Sequence, residues 1–216
     1  MGIRSGDIWL SRHPVFSEFA TYNARSSLLI AYVEGFAPMV NSVPAFLHLT
    51  MSRASGQAAD LLRSIWDDEL GMNGTRPHPV LFDDVYREVT GRHGHNSSAQ
   101  RHGIAAAVEM VKLCGEGAWP VGVAAMKAHE SQFPEAYSKI LPAMSVALSN
   151  AAEFFEVHSV ADVEHAEIGS QLVELGIQSG VVSEEEMENT YKRSSDLLRG
   201  LMDVVWLCAA TCAPAR

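Results

Sequence analysis

The sequence predicts an all-α protein folded as one domain spanning residues 1–216. Three observations carry that reading. Apolar residues recur at helical intervals along almost the whole chain. Strand-like alternation is nearly absent, and Asn73-Gly74 lies inside Gly-Met-Asn-Gly-Thr-Arg-Pro, a loop composition and not a hairpin turn. No Pro-, Gly- or Ser-rich boundary and no internal repeat divides the chain. With 47% hydrophobic residues it can fill one sizeable core.

The elements follow in order. His13-Pro14 reads as a helix start, for a first helix over 13–22. A second, over 25–52, is strongly apolar, and Pro38 and Pro44 are expected to kink or divide it because each removes a backbone donor. Helices over 55–70 and 79–92 flank the Gly-rich loop, and Gly91-Arg-His-Gly-His-Asn-Ser-Ser98 is the next loop. Further helices are expected over 98–116, 119–132, 135–141 and 146–178, with Pro134 ending the second of these and Gly180 the last. Ser183 followed by Glu184, Glu185 and Glu186 is a capping signature, with acids at the positive helix end, and opens a final helix over 184–210.

Composition excludes several function classes. A formal net charge of -10 disfavours nucleic acid and anionic membrane surfaces, which need a basic face. Cys114, Cys208 and Cys212 are odd in number and widely spaced, which fits a reducing compartment and not a disulfide framework. The N-terminus has no apolar signal core, and the stretch from Leu28 to Val40 is too short to span a bilayer and contains Glu34. The expectation is a cytoplasmic protein.

One segment, Phe-Phe-Glu-Val-His-Ser-Val-Ala-Asp-Val-Glu-His (154–165), carries chemistry. On a helix, His158, Asp162 and His165 fall within about 60° of one another, beside Phe154, Phe155, Val157 and Val160. Such a stripe either faces water or ligates metal. Glu153, Glu156, Glu164 and Glu167 project to other sides and are better candidates for the solvated face. Glu69 sits at a helix end from which the Gly-rich loop returns the chain to His78, so a carboxylate and an imidazole can meet. Asp67 and Asp68 read as cap or surface residues. Glu130 lies in a small-residue helix suited to close packing. Its neighbour His129 points about 100° away and is not expected to serve the same ion.

Together, Asp-Asp-Glu-Leu-Gly…His-Pro-Val-Leu-Phe, His-Glu-Ser-Gln-Phe-Pro and the 154–165 segment resemble the heme-oxygenase-like diiron oxidases and oxygenases, over residues 13–208. The resemblance implies a heme-oxygenase-like helical bundle. It implies that Glu69, His78, Glu130, His158, Asp162 and His165 hold two iron ions, with O₂ as co-substrate. Glu34, the only acid of the second helix, is a candidate further ligand or pocket residue, against the plainer reading of a helix-surface carboxylate. The expected activity is desaturation, C–C cleavage or N-oxygenation of a small molecule, with an external electron donor and a homodimer as further expectations. An amino acid is favoured over a fatty acid, with Arg25, Lys192 or Arg193 to meet its carboxylate. Tyr32, Phe36, Met39 and Phe46 could line a fatty-acid channel or be plain core. The alternatives are a metal-free hydrolase resembling the TenA thiaminases, which needs a nucleophilic cysteine, and a non-catalytic helical binding protein. A heme reading would use His13. His93 and His95 read as solvated loop residues.

Carboxylates and imidazoles without thiolate suit iron or manganese, and without metal the six groups would be a costly buried cluster. Gly169, about 1 kcal/mol worse than Ala in a helix, further weakens the 146–178 helix. Hydrogen exchange across it is therefore expected to slow when Fe(II) is added; equal protection with and without metal would contradict this.

Overall fold

Helix α2 (Ser26–Met51) runs through the middle of the molecule, packed along its length on α5 (Ser98–Gly115) and flanked by α4 (His78–Thr90) and α9 (Glu184–Thr211). This is a computed structural model, and it describes residues 9–21, 26–91, 97–149 and 151–211. A 3₁₀ turn (Leu10–Arg12) leads into α1 (Pro14–Phe19), and α3 (Gln57–Glu69) joins α2 to the Gly-rich loop. On the other side, α6 (Trp119–Glu130) lies between α8 (Glu153–Ser179) and α9, and α7 (Phe133–Ala147) packs on α8. No strand occurs among the described residues.

Most helix ends have a visible local cause. His13 Nδ1 accepts from the Val15 N–H and caps α1, while its Nε2 lies 3.2 Å from Asp203 Oδ1. With both nitrogens engaged, His13 is the helix-start residue and not a free axial ligand. Ser97 caps α5 by accepting from the Gln100 N–H, and Ser183 caps α9 by accepting from the Glu186 N–H. Arg53 closes the C-terminal end of α5, donating to the carbonyls of Cys114, Gly115 and Gly117.

Three expectations are corrected. Of the two outcomes expected of Pro38 and Pro44, kinking or dividing α2, division does not occur: both lie inside one helix, whose packing on α4, α5 and α9 holds it across them. Pro134 begins α7 instead of ending α6, in the first turn where its missing N–H costs nothing. Pro142 then sits inside α7, and Ser138, whose carbonyl it leaves without a helical donor, is exposed to water. As a result α7 runs to Ala147, Leu148 is extended, and α8 begins at Glu153 and not at 146. His93 and His95 lie outside the described residues.

Helix α2 is long and apolar enough by length and composition to cross a membrane, so the apparent shortness of the 28–40 stretch was misleading. Of its apolar window, 56% is buried inside the fold, and its role as the central packing helix accounts for its composition. The α2–α5 contact depends on glycine. A Cβ on Gly103 would lie 2.0 Å from the Gly35 carbonyl oxygen. Gly103→Ala is expected to destabilise the protein by about 3 kcal/mol or to block folding, since overpacked backbone contacts relax poorly; urea unfolding against wild type measures it.

Candidate metal centre

Three of the candidate side chains stand where helix electrostatics disfavour them. Glu69 is the last residue of α3 and Glu130 the last of α6. The negative end of a helix dipole works against an acid there by about 0.3–1 kcal/mol. His78 is the first residue of α4, where the positive end opposes an imidazolium. The α3–α4 turn that brings Glu69 to His78 needs Gly71 (φ 66), where a Cβ would lie 2.3 Å from the Thr75 carbonyl oxygen. Arg76 pins the turn from outside, pairing with Asp84 on α4 and, at 2.8 Å, with Glu153 on α8.

Helix α8 contributes the stripe. His158, Asp162 and His165 are 8%, 3% and 2% exposed, whereas Glu156, Glu164 and Glu167 are exposed and Glu153 is half-buried against Arg76. The stripe therefore faces the interior. Phe154 and Phe155 are fully packed beside it, and the Phe154 ring lies 4.0 Å from that of His158. Val160 is instead 71% exposed and lies off the apolar face.

Three of the six expected residues bring their ligand atoms together, and the other three lie around them. Ligand atoms of Glu69, His78 and His158 lie within 4.8 Å of one another. Glu69 Oε1 is 3.1 Å from His78 Nδ1 and 3.6 Å from His165 Nδ1. Both nitrogens are buried and neither has an aligned hydrogen-bond partner. Two unpartnered imidazole nitrogens around one carboxylate oxygen form the donor arrangement that a cation satisfies. The His158 Nδ1–H donates to the Phe154 carbonyl at 2.8 Å, leaving Nε2 free. Glu130 and Asp162 line a cavity of about 80 Å³ together with Glu69 and His158. Glu34 is buried on α2, not at the surface, but does not line that cavity. Asp68, an adjacent alternative to Glu69 that the sequence favoured as a cap or surface residue, stands at the edge of the site instead: its Oδ2 lies 3.0 Å from His165 Nε2.

The sequence profile of a family of iron-containing redox enzymes matches residues 30–194, which include every one of these side chains. The chain belongs to this family. Among curated proteins none matches. Two solved structures share the fold: a domain of unknown function with a heme oxygenase-like fold from Shewanella denitrificans OS217, and a TenA homologue from P. horikoshii OT3. The first is 15% identical, with a TM-score of 0.66, over 91% of this chain and 85% of that one. The second is 14% identical, with a TM-score of 0.69, over 96% and 100%. The architecture is thus the all-helical heme-oxygenase-like fold. An iron-containing redox enzyme needs a place for iron, and the buried Glu69, His78 and His158 trio can bind metal. Oxygen and imidazole donors without thiolate fit that metal.

Electrostatics of this iron-family site are set by burial. Burial, then the charges of Glu69 and Glu130, push the Asp162 carboxyl well above its ordinary range. Burial raises Glu130 to about 7. Burial also opposes ionisation of Glu69, yet the imidazoles of His78, His158 and His165 hold its pKa below normal. His158 is pushed down to about 4 by burial. For His165 burial works the other way from its partners, and Asp68, Glu130, Glu69 and Asp162 together raise it to about 9.

The cavity beside the cluster is mostly apolar, with Phe36, Met39, Phe46, Met126 and Phe133 among its walls. His129 is a second residue that sequence reasoning set aside. It lines this cavity, its Nε2–H donates to the Ser194 carbonyl at 3.1 Å, and burial lowers its pKa to about 4, so the ring is neutral. Only its position next to Glu130 could have pointed to it.

At pH 6, Glu130, raised to about 7 by burial, is mostly protonated in the metal-free protein, and burial also disfavours the ionised form of Asp162, whereas carboxylate ligands must be ionised. Metal binding is therefore expected to release protons and to tighten from pH 6 to pH 8, by about tenfold per pH unit for each proton released. Calorimetry in two buffers of different ionisation enthalpy reads the release directly; pH-independent affinity would contradict it.

Proposed function

We propose that the protein is a non-heme, O₂-using oxidase or oxygenase of the heme-oxygenase-like diiron type, with two iron ions held by Glu69, His78, Glu130, His158, Asp162 and His165. The observation that carries this reading is the convergence of three imidazoles and three carboxylates in a buried site that opens onto an apolar cavity. Bound iron would supply the redox chemistry that turns O₂ into an oxidant. The chain's own residues do the rest. Three carboxylates offset most of the charge of two ferrous ions. Phe154, Phe133 and Tyr137 wall the cavity against water, and the Tyr137 hydroxyl is tied to that of Tyr32 at 3.1 Å.

The walls favour a substrate whose body is apolar. Among the described residues, no Lys or Arg lines the cavity. Lys192 and Arg193 are exposed, with Arg193 facing Glu109 at 3.5 Å, and Arg25 lies outside the described residues. An amino acid, whose two charged groups lie next to its reacting carbons, therefore has little support here, and a long aliphatic chain such as a fatty acid's, with its carboxylate left outside the cavity, fits better. Phe36, Met39 and Phe46, named as channel candidates, do line the cavity, whereas Tyr32 does not. The cysteine-hydrolase reading has the fold in its favour but, among the described residues, no cysteine at the cavity. Cys114 is buried, its thiol pushed up to about 12 by burial, and neither it nor Cys208 lines the cavity. Cys212 lies outside the described residues.

Anaerobic loading is expected to give about two Fe(II) per chain, followed by O₂ uptake that an aliphatic acid accelerates more than amino acids do. His158→Ala and Glu130→Ala should abolish the uptake. A protein that takes up no iron would return the argument to the hydrolase or binding-protein readings.

A further inference from the structure

We infer that Asp68 is a positioning residue of the centre: its carboxylate holds the Nε2–H of His165, so that His165 turns Nδ1 toward the metal. The inference rests on the metal reading above and goes further, because it says which nitrogen of His165 ligates and what fixes it.

The geometry separates the two sides of the ring. Asp68 Oδ2 is 3.0 Å from His165 Nε2, a hydrogen-bond distance, and 4.0 Å from His78 Nε2, too long for one. The opposite nitrogen, Nδ1, is buried without a hydrogen-bond partner, 3.6 Å from Glu69 Oε1. Exposure follows the same division: the Asp68 side chain is 32% exposed and that of Glu69 8%. Asp68 thus stands on the outer side of the imidazole and Glu69 on the inner side.

His158 provides the contrast on the same helix. There a backbone carbonyl, that of Phe154, takes the Nδ1–H and leaves Nε2 for the centre. Once His165 gives up its Nδ1 proton to a metal, the two ends of the α8 stripe would therefore present opposite nitrogens, each fixed by a different anchor. The two anchors have different effects. A carboxylate anchor fixes the ring and also raises its basicity as a ligand. Asp68 comes from α3, immediately before Glu69, so one helix end supplies both a ligand and the brace for a ligand on α8.

Zn(II) serves as a diamagnetic probe, with affinity measured by chelator competition and imidazole nitrogens by ¹⁵N NMR of the loaded protein. In the wild type, His165 Nε2 should carry the proton and Nδ1 the metal. Asp68→Ala should keep its circular dichroism but lose about 10- to 100-fold in affinity. Asp68→Asn, which retains an acceptor oxygen, should keep the tautomer and fall between the two. Equal affinity of wild type and Asp68→Ala overturns the inference, as does a metal-bound Nε2. Equal loss in both variants also overturns it, marking Asp68 as a ligand in its own right. A wild type that binds no Zn(II) removes the metal reading itself, and this inference with it.

Discussion

Buried negative charge is the constraint on which the rest of the structure depends. Glu69, Glu130 and Asp162 share one interior site, and leaving such charges uncompensated costs several kcal/mol apiece. Of the cationic groups that Glu130 senses, His165 acts more strongly than Lys127, and the lysine is committed elsewhere, with its ammonium donating to the Ala166 carbonyl and to Ser170 Oγ. In the metal-free protein, protons take up the imbalance. Glu130 and Asp162 hold theirs beyond the normal range, and His165 is held charged beside Asp68 and Glu69. A dication bound here would supply two positive charges in place of those protons and would give the two nitrogens without aligned partners a ligand role. Protons alone leave both of those nitrogens unsatisfied.

That constraint explains why the ligand-type residues sit at helix ends. A side chain in mid-helix can reach only the face its own axis presents, and α8 already fills one face with three groups. The remaining groups must arrive from chains that turn near the site. The α3–α4 turn delivers Glu69 and His78, and the end of α6 delivers Glu130, each against the local dipole preference. Arg76 couples the turn to both α4 and α8. Its pairs are exposed and contribute little energy. What they provide is placement, because they join the three elements whose separation decides whether Glu69 meets the α8 stripe.

Much of this was legible in the sequence, for local reasons. The α8 stripe could be read because its members share a helix, whose period fixes their relative direction. Glu69 and His78 could be paired because Gly71 and Pro77 announce a tight return of the chain. Ser183 and Gly180 marked helix ends through backbone chemistry that acts within a few residues. Other features depended on packing and were not legible. Proline within α2 and α7 reads as a break, yet tertiary contacts and an exposed Ser138 carry both helices through. Asp68 and Glu69 look alike in sequence, and only the approach of α8 gives them different roles. The apolar residues of the cavity wall have the same pattern as ordinary core, as Tyr32 and Phe36 illustrate. They are stacked neighbours on one helix, and only Phe36 reaches the cavity.

The centre is also asymmetric. Glu69, Glu130, His158 and Asp162 face the cavity, whereas His78 and His165 do not line it. Three carboxylates and one imidazole, that of His158, thus stand on the open side of the centre, and two imidazoles stand behind them. Carboxylates can shift between binding modes, while an imidazole braced by Asp68 or by the Phe154 carbonyl cannot. On the proposed reading, positions that change occupancy would lie among the carboxylates of the cavity face, with His78 and the Asp68-braced His165 behind them. Neutral His129 completes that face: a charged ring there would repel the metal, and burial keeps the ring uncharged. On the same reading, the apolar wall would guide the uncharged part of a substrate toward the carboxylate side. On the proposed reading, the bond that is oxidised is the one that this wall, and not a charged headgroup contact, brings next to Glu69, Glu130 and Asp162.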